Sequence, residues 1–265
     1  MISLSELAIY PIKSTAQIQL NKTIMGPFGL HMDRRWMLVD ENGVMLTQRK
    51  HAKMCLIQSV LSDSGLSVSA GEMPTLFIPA ADSSSPVLVT VWQDTCNAYD
   101  CGKEAAAWFS EFLNTSARLV YFPDNEHRQV DLTYANKGDI TAFSDGFPYL
   151  LISQASLDDL NSRLGSSVEM KRFRPNLVVS GTEAFAEDKW KKIRIGEITF
   201  NIVKPCSRCV IPSIDPETAN KTAEPVKTLA SYRMRENKIF FGQNVIAENM
   251  GELEVGMPVE VISSL

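Results

Sequence analysis

The 265-residue sequence predicts a β-rich, mixed α/β protein built from two comparable parts. Three observations carry this. Short apolar runs bounded by turn residues dominate the first hundred residues, which is strand patterning. Only two segments place apolar residues at helical spacing. Beyond the first of these the strand-like runs resume, so a boundary near residue 120 divides the chain into 1–120 and 121–265.

Taken in order, "LSELAIYPI" is an apolar opening strand. "RRWMLVDENGVMLTQR" is two β-rich runs around Asp40–Gly43, a hairpin in which Gly43 is free to take positive φ. "LSDSGLSVSA" and "SSPVLVTVWQDT" add short strands, and "AADSSSP" (80–86) is a surface connection. "GKEAAAWFSEFLN" (102–114) sets Ala105, Trp108, Phe109, Phe112 and Leu113 on one helical face. "SQASLDDLNSRLG" (153–165) has an early serine as cap, Leu157, Leu160 and Leu164 at helical spacing, and Gly165 as the stop. Strand-like runs follow at 175–180, 193–203, 239–247 and 257–263. Within them "FNIVKPCSRCVIPSI" reads as strand, loop, strand.

A hydrophobic content of 45% with 22% charged residues describes a soluble globular chain. The net charge of −5 and pI near 5.3 argue against non-specific binding to nucleic acid or to an anionic membrane, both of which need a positive field. No apolar run approaches the roughly 20 residues that span a bilayer. The N-terminal "MISLSELAIYPIKS" lacks the basic start of a signal peptide and carries Glu6 where an apolar stretch belongs. Five scattered cysteines, an odd number, do not form a disulfide framework. A cytoplasmic protein is expected.

Cys206 and Cys209 form a CxxC pair. Zinc needs about four ligands; Cys55, Cys96 and Cys101 make no second pair, and His31, His51 and His127 have no paired spacing. A thioredoxin-type dithiol sits at a helix start, which Pro212 opposes. Two readings stay open: small apolar fillers, or a thiolate favoured by Lys204 and Arg208 beside it. Basic residues also cluster in "YPIKS", "DRRW", "TQR" and "KRFRPN". Separately these are solvated faces or structural ion pairs; converging, they make an anion pocket. The turn "SDGFP" (144–148) offers backbone N–H groups to an anion. No Gly-rich phosphate loop or dinucleotide fingerprint is present.

The strings "IYPIKS", "DRRWMLVD", "DCG", "YLLISQASLDDLNSRL", "RFRPNLVVSG", "CSRCVIPSIDPET", "EPVKTLASYR" and "FGQNVIAEN", in this order, resemble the MOSC superfamily. The likeness is to members that pair a MOSC N-terminal β-barrel domain with the MOSC domain. The resemblance implies an N-terminal β-barrel-like domain followed by a MOSC β-barrel domain with a few helices. It implies a molybdenum–molybdopterin cofactor whose metal is held by Cys209, which is also the catalytic ligand. Ser207 and Arg208 match positions that contact the cofactor, and Lys13, Ser14, Arg34, Arg174 and Asn176 match positions that hold the pterin and its phosphate. Ser144 opens a turn that touches the cofactor, and Cys206 is a neighbour without ligand duty. Relatives often carry a glycine where Ala219 stands, so the turn there is expected to differ. No cysteine follows Cys209, so no iron–sulfur cluster is expected in this chain. The implied activity is reduction of N-hydroxylated small molecules with electrons from a separate ferredoxin- or flavoprotein-like donor, without nucleic acid or membrane partners. The alternative it leaves is a non-reductase carrier of the cofactor or its sulfur.

Overall fold

Ser3–Ile9 forms the opening strand and joins a sheet built mainly from the second half of the chain. The computed structural model describes residues 1–80 and 86–265, so the connection expected over 80–86 lies almost wholly outside the described residues. Strand order in the main sheet is 18–20, 3–9, 177–180, 149–153, 238–247, 198–208, 190–195, 259–264. Its pairs are antiparallel except 149–153 with 177–180, which run parallel. A parallel pair needs a crossover, and the helix Gln154–Arg163 supplies it. The sheet curls until its ends meet: Ser3 bridges Pro258, and Leu4 N–H donates to Met257 O at 2.9 Å. Leu7, Ile9, Leu151, Leu177, Val179, Ile193, Phe200 and Val245 fill the space it encloses. Burying each such side chain contributes on the order of 2 kcal/mol.

A second, smaller barrel forms from the first half. Trp36–Val39, Arg118–Tyr121, Asp94–Asp100 and Pro86–Val91 pair in that order. The expected hairpin closes the ring, because Met45 pairs with Val39 and Val44 with Thr90. Gly43 takes φ 75° here, and a Cβ on it would sit 2.8 Å from Leu88 O. Met37, Val39, Val89, Val91, Val120 and Phe122 are its core, capped by Phe143 from beyond residue 120. A three-stranded sheet (58–62, 65–69, 76–79) packs Leu66, Val68 and Ile78 against the helix Lys103–Leu113, whose Ala105, Trp108, Phe109 and Leu113 are buried. Phe112 of that helix is half-buried and stacks on Trp108 at 5.8 Å.

Four local expectations change. The run at 193–203 is two strands, Trp190–Ile195 and Ile198–Arg208. The helix capped by Ser153 Oγ ends at Leu164, which is extended, and Gly165 does not take a left-handed conformation. "FNIVKPCSRCVIPSI" is not strand, loop, strand: the strand runs through Pro205 to Arg208 and a short 3-10 turn, Ile211–Ser213, follows. Register shifts at Ile202/Lys204 and Pro205/Ser207 absorb the missing proline N–H. An eight-residue helix, Val226–Arg233, was not expected. It buries only Leu229, and its first turn is tied by Glu224 Oε2 accepting from Thr228 N–H at 3.0 Å rather than by a Ser, Thr, Asp or Asn cap, so its sequence signal is weak.

Candidate cofactor cleft

A cleft between the two barrels is lined by all nine site residues expected from the sequence: Lys13, Ser14, Arg34, Ser144, Arg174, Asn176, Ser207, Arg208 and Cys209. Cys206 lines it too. Four consecutive residues, 206 to 209, face one cleft, which a regular strand with alternating side chains cannot arrange. The bulge at Pro205/Ser207 and the strand end at Arg208 make it possible.

Four lining residues sit in the left-handed region: Ser14 (φ 72°), Arg34 (φ 50°), Trp92 (φ 58°) and Arg174 (φ 58°). Such conformations cost about 1–2 kcal/mol for an L-residue and persist where the surroundings over-determine them. For Arg34 the surroundings are explicit. Its guanidinium pairs with the buried Asp33 carboxylate and donates to Asn176 Oδ1 at 3.0 Å. Asn176 is 1% exposed and its carboxamide is fully committed. Besides Arg34 it accepts from Leu150 N at 3.3 Å and donates to Ala8 O and Asp33 Oδ2, each at 3.1 Å. Asn176 therefore positions Arg34. Arg34 and Arg174 also flank the buried Tyr10 ring at 4.5 and 4.1 Å, a cation–π arrangement strengthened by desolvation. Arg174 further donates to Thr15 O at 2.6 Å.

Lys13 is buried and donates to Phe143 O at 2.8 Å and to Asp145. Burial lowers its pKa to about 8, with the Asp145 carboxylate partly opposing the shift. Burial likewise lowers Arg174 to about 10. Asp145 lies at the open lip with its side chain 63% exposed. Burial would raise its carboxyl, but the Lys13 ammonium, with Arg49 and the Trp92 indole N–H, holds it below the usual carboxylate range. Ser144 is less available than expected, because its hydroxyl is shared with Thr141 Oγ1 at 2.6 Å and its carbonyl accepts from Arg128.

On the sulfur side, Arg208 donates to Phe173 O at 2.7 Å and to Cys206 Sγ at 3.2 Å, while its Nε is buried without a partner. Cys209 Sγ has no hydrogen bond among the described residues. By contrast, burial pushes the thiols of Cys55 and Cys96 up to about 11 and Cys101 up to about 12, so these three are structural. Among the described residues no three of His, Cys, Asp and Glu cluster as a metal site of their own. Among the described residues five cations line the cleft against one lining carboxylate, Asp145, in a chain of net charge −5. The arrangement suits an anionic ligand that brings most of a soft metal's donors with it.

Sequence reasoning did not assign Asp145, Trp92, Tyr149 or Asn244 to the cleft. Asp145 lies inside the quoted "SDGFP", and Arg49 inside the quoted "TQR". Arg49 stacks on Trp92 at 4.3 Å and its Nε is buried without a partner. Trp92, at φ 58° in a hairpin turn, has no local signal pointing to the cleft. Ala219, expected to mark an altered turn, instead takes the left-handed conformation itself at φ 60°.

A model of the MOSC N-terminal beta barrel domain matches residues 1–116, and one of the MOSC domain matches residues 139–260. Mitochondrial amidoxime-reducing component 1 of Mus musculus is 36% identical over 280 residues, covering 98% of this chain and 82% of the relative. The Homo sapiens component 1 is 34% identical with 98% and 83% covered. Mitochondrial amidoxime reducing component 2 of Rattus norvegicus is 36% identical with 97% and 82% covered.

Proposed function

The chain belongs to the MOSC family, in the group that contains the amidoxime-reducing components, and on that premise we propose that it is a molybdenum-cofactor-dependent reductase of N-hydroxylated compounds. The observation that carries the reading is the convergence of Lys13, Arg34, Arg49, Arg174 and Arg208 on the strand end that bears Cys209. A molybdopterin cofactor needs cations for its phosphate and one soft protein ligand, since its dithiolene brings the other sulfurs. The unpartnered, buried Nε of Arg208 and Arg49 are donors of the kind such a ligand would complete.

Lys13, Arg34, Arg174 and Arg208 would hold the charged end, and Cys209 would supply the thiolate. When bound, the cofactor supplies two-electron chemistry that converts an N–OH group, with two electrons and two protons, to N–H and water. Asp145 fixes the Lys13 ammonium. Trp92, Phe147 and Tyr149 form the apolar parts of the wall and limit water. The electrons come from a separate donor protein.

The test is molybdenum and pterin analysis of purified protein beside reduction of an aromatic amidoxime. Molybdenum near one atom per chain, lost with activity in Cys209→Ser, is the expected result. Full activity without molybdenum overturns the reading, and transfer of cofactor to apo-enzymes without N–O turnover replaces it with a carrier role.

A further inference from the structure

The hairpin joining Pro86–Val91 to Asp94–Asp100 turns on two residues, Trp92 and Gln93, with Val91 paired to Asp94. The turns that suit such hairpins put their first central residue at positive φ, a place favoured by Gly, Asn or Asp. Trp92 occupies it at φ 58°. A bulky side chain in that region is an outlier, and such strain clusters at ligand clamps and active sites.

Trp92 also differs from the other tryptophans. Trp36, Trp108 and Trp190 are 3, 6 and 5% exposed, whereas Trp92 is 38% exposed and lines the cleft. Among the described residues it joins none of the buried apolar clusters, so core packing does not account for it. Its indole N–H reaches from the smaller barrel to donate to Asp145 Oδ1 at 3.2 Å. The Arg49 guanidinium lies over the ring at 4.3 Å and stays 3.9 Å from Asp145, too far for a hydrogen bond.

These ties orient the ring without committing it. The Asp145 side chain is 63% exposed and already paired with Lys13, so a ligand that shifts the indole strands no buried group. What the ring offers is flat apolar surface on a cleft that Phe147 and Tyr149 also line. An aromatic face takes a flat partner in offset or edge-to-face contact, which adds to plain burial of area.

We propose that Trp92 sets the substrate specificity of the cleft by packing against the non-reacting body of the substrate. It ranks N-hydroxylated compounds by the flat apolar surface they carry. The reaction class rests on the proposed function, while the contact itself does not. Because the ring meets the body and not the N–O group, it holds ground state and transition state alike and acts on KM rather than kcat.

The test uses the full chain as purified, with reduced methyl viologen as the electron source so that no donor protein is needed. Benzamidoxime and acetamidoxime share the reacting group and differ in the ring. In Trp92→Gly, a residue at ease at this φ, KM for benzamidoxime rises about tenfold. Its kcat, both constants for acetamidoxime and the molybdenum content stay within about twofold, and Trp92→Phe recovers most of the loss. Equal losses for the two substrates, or molybdenum lost with the ring, overturn the proposal. Acrylamide quenching of indole fluorescence gives a reading that needs no variant, because the other three tryptophans are buried. Benzamidoxime at least halves the quenching and acetamidoxime leaves it unchanged; absence of protection by benzamidoxime overturns the proposal. Protein that reduces neither compound defeats the proposed function, and the quenching titration still decides the contact at Trp92.

Discussion

Replacing Asn176 by alanine probes how the cleft is held together. The side chain makes four hydrogen bonds in a fully buried setting, to Arg34, Leu150 N, Ala8 O and Asp33. Truncation leaves a buried carbonyl and a buried amide N–H each short of a partner, and removes one partner from each member of the Asp33–Arg34 pair. Each stranded buried group costs about 1–3 kcal/mol. Because the groups belong to one network the losses overlap, and about 3–4 kcal/mol is expected rather than the full sum. Urea denaturation reads this directly. For a chain of this size a kilocalorie shifts the melting temperature by about 2–4 °C, so a fall of about 10 °C is expected. Arg34 depends on the clamp to stay at φ 50°, so cofactor content falls with stability. A double-mutant cycle with Arg34→Met yields a coupling of at least about 1 kcal/mol. A stability loss under about 1 kcal/mol, or strict additivity with Arg34→Met, refutes the clamp.

Lys13 gives a pH signature. Its folded pKa, about 8, lies below its unfolded value of 10.5. From pH 8 upward the unfolded state therefore binds more protons and apo-protein gains stability, an increment of about 3 kcal/mol at most that is complete above the unfolded pKa. An anion in the cleft reverses the balance, so phosphate affinity falls through the same window; titrations at pH 7 and 9 check both, and Lys13→Met abolishes the trend. Ala219→Gly relieves a left-handed alanine and stabilises by about 0.5–1 kcal/mol, visible as a melting temperature raised by about 2 °C; a fall contradicts the strain. Cys206→Ser keeps molybdenum within twofold, because a serine hydroxyl can likewise accept from Arg208 and donate to Ser207 O as Cys206 Sγ does, whereas Cys209→Ser loses it. Metal analysis of the two variants separates the sulfurs, and equal loss denies Cys209 its distinct role.

Much of the fold was legible because its signals are local. The apolar run "LSELAIYPI", the Asn42-Gly43 turn and the Trp108–Phe109 helical face each specify an element within a dozen residues, and all three are found. The helix Val226–Arg233 escaped because it is held by Leu229 inserting into the core and by packing on Lys238–Ala247, not by its own pattern. The continuation of the strand through Pro205 escaped for a similar reason. Proline argues for a loop unless a bulge in the partner register relieves it, and that register is set by Lys238–Ala247.

By itself the sequence determined the types of element, the chemistry of each basic string and the sulfur that follows Arg208, because composition, spacing and turn residues act over short distances. Only the tertiary structure decided that "YPIKS", "DRRW", "TQR", "SDGFP", "RFRPN" and "CSRC" face one another. These strings lie up to about two hundred residues apart, and their meeting depends on the first strand closing the large sheet at Pro258 and on Phe143 capping the smaller barrel. It also decided which polar groups are spent and which are free. Asn176 and Ser144 are committed to the protein, while Gln48 Oε1 and Arg208 Nε are left without partners. That division depends on burial and three-dimensional hydrogen bonding, which no linear pattern encodes.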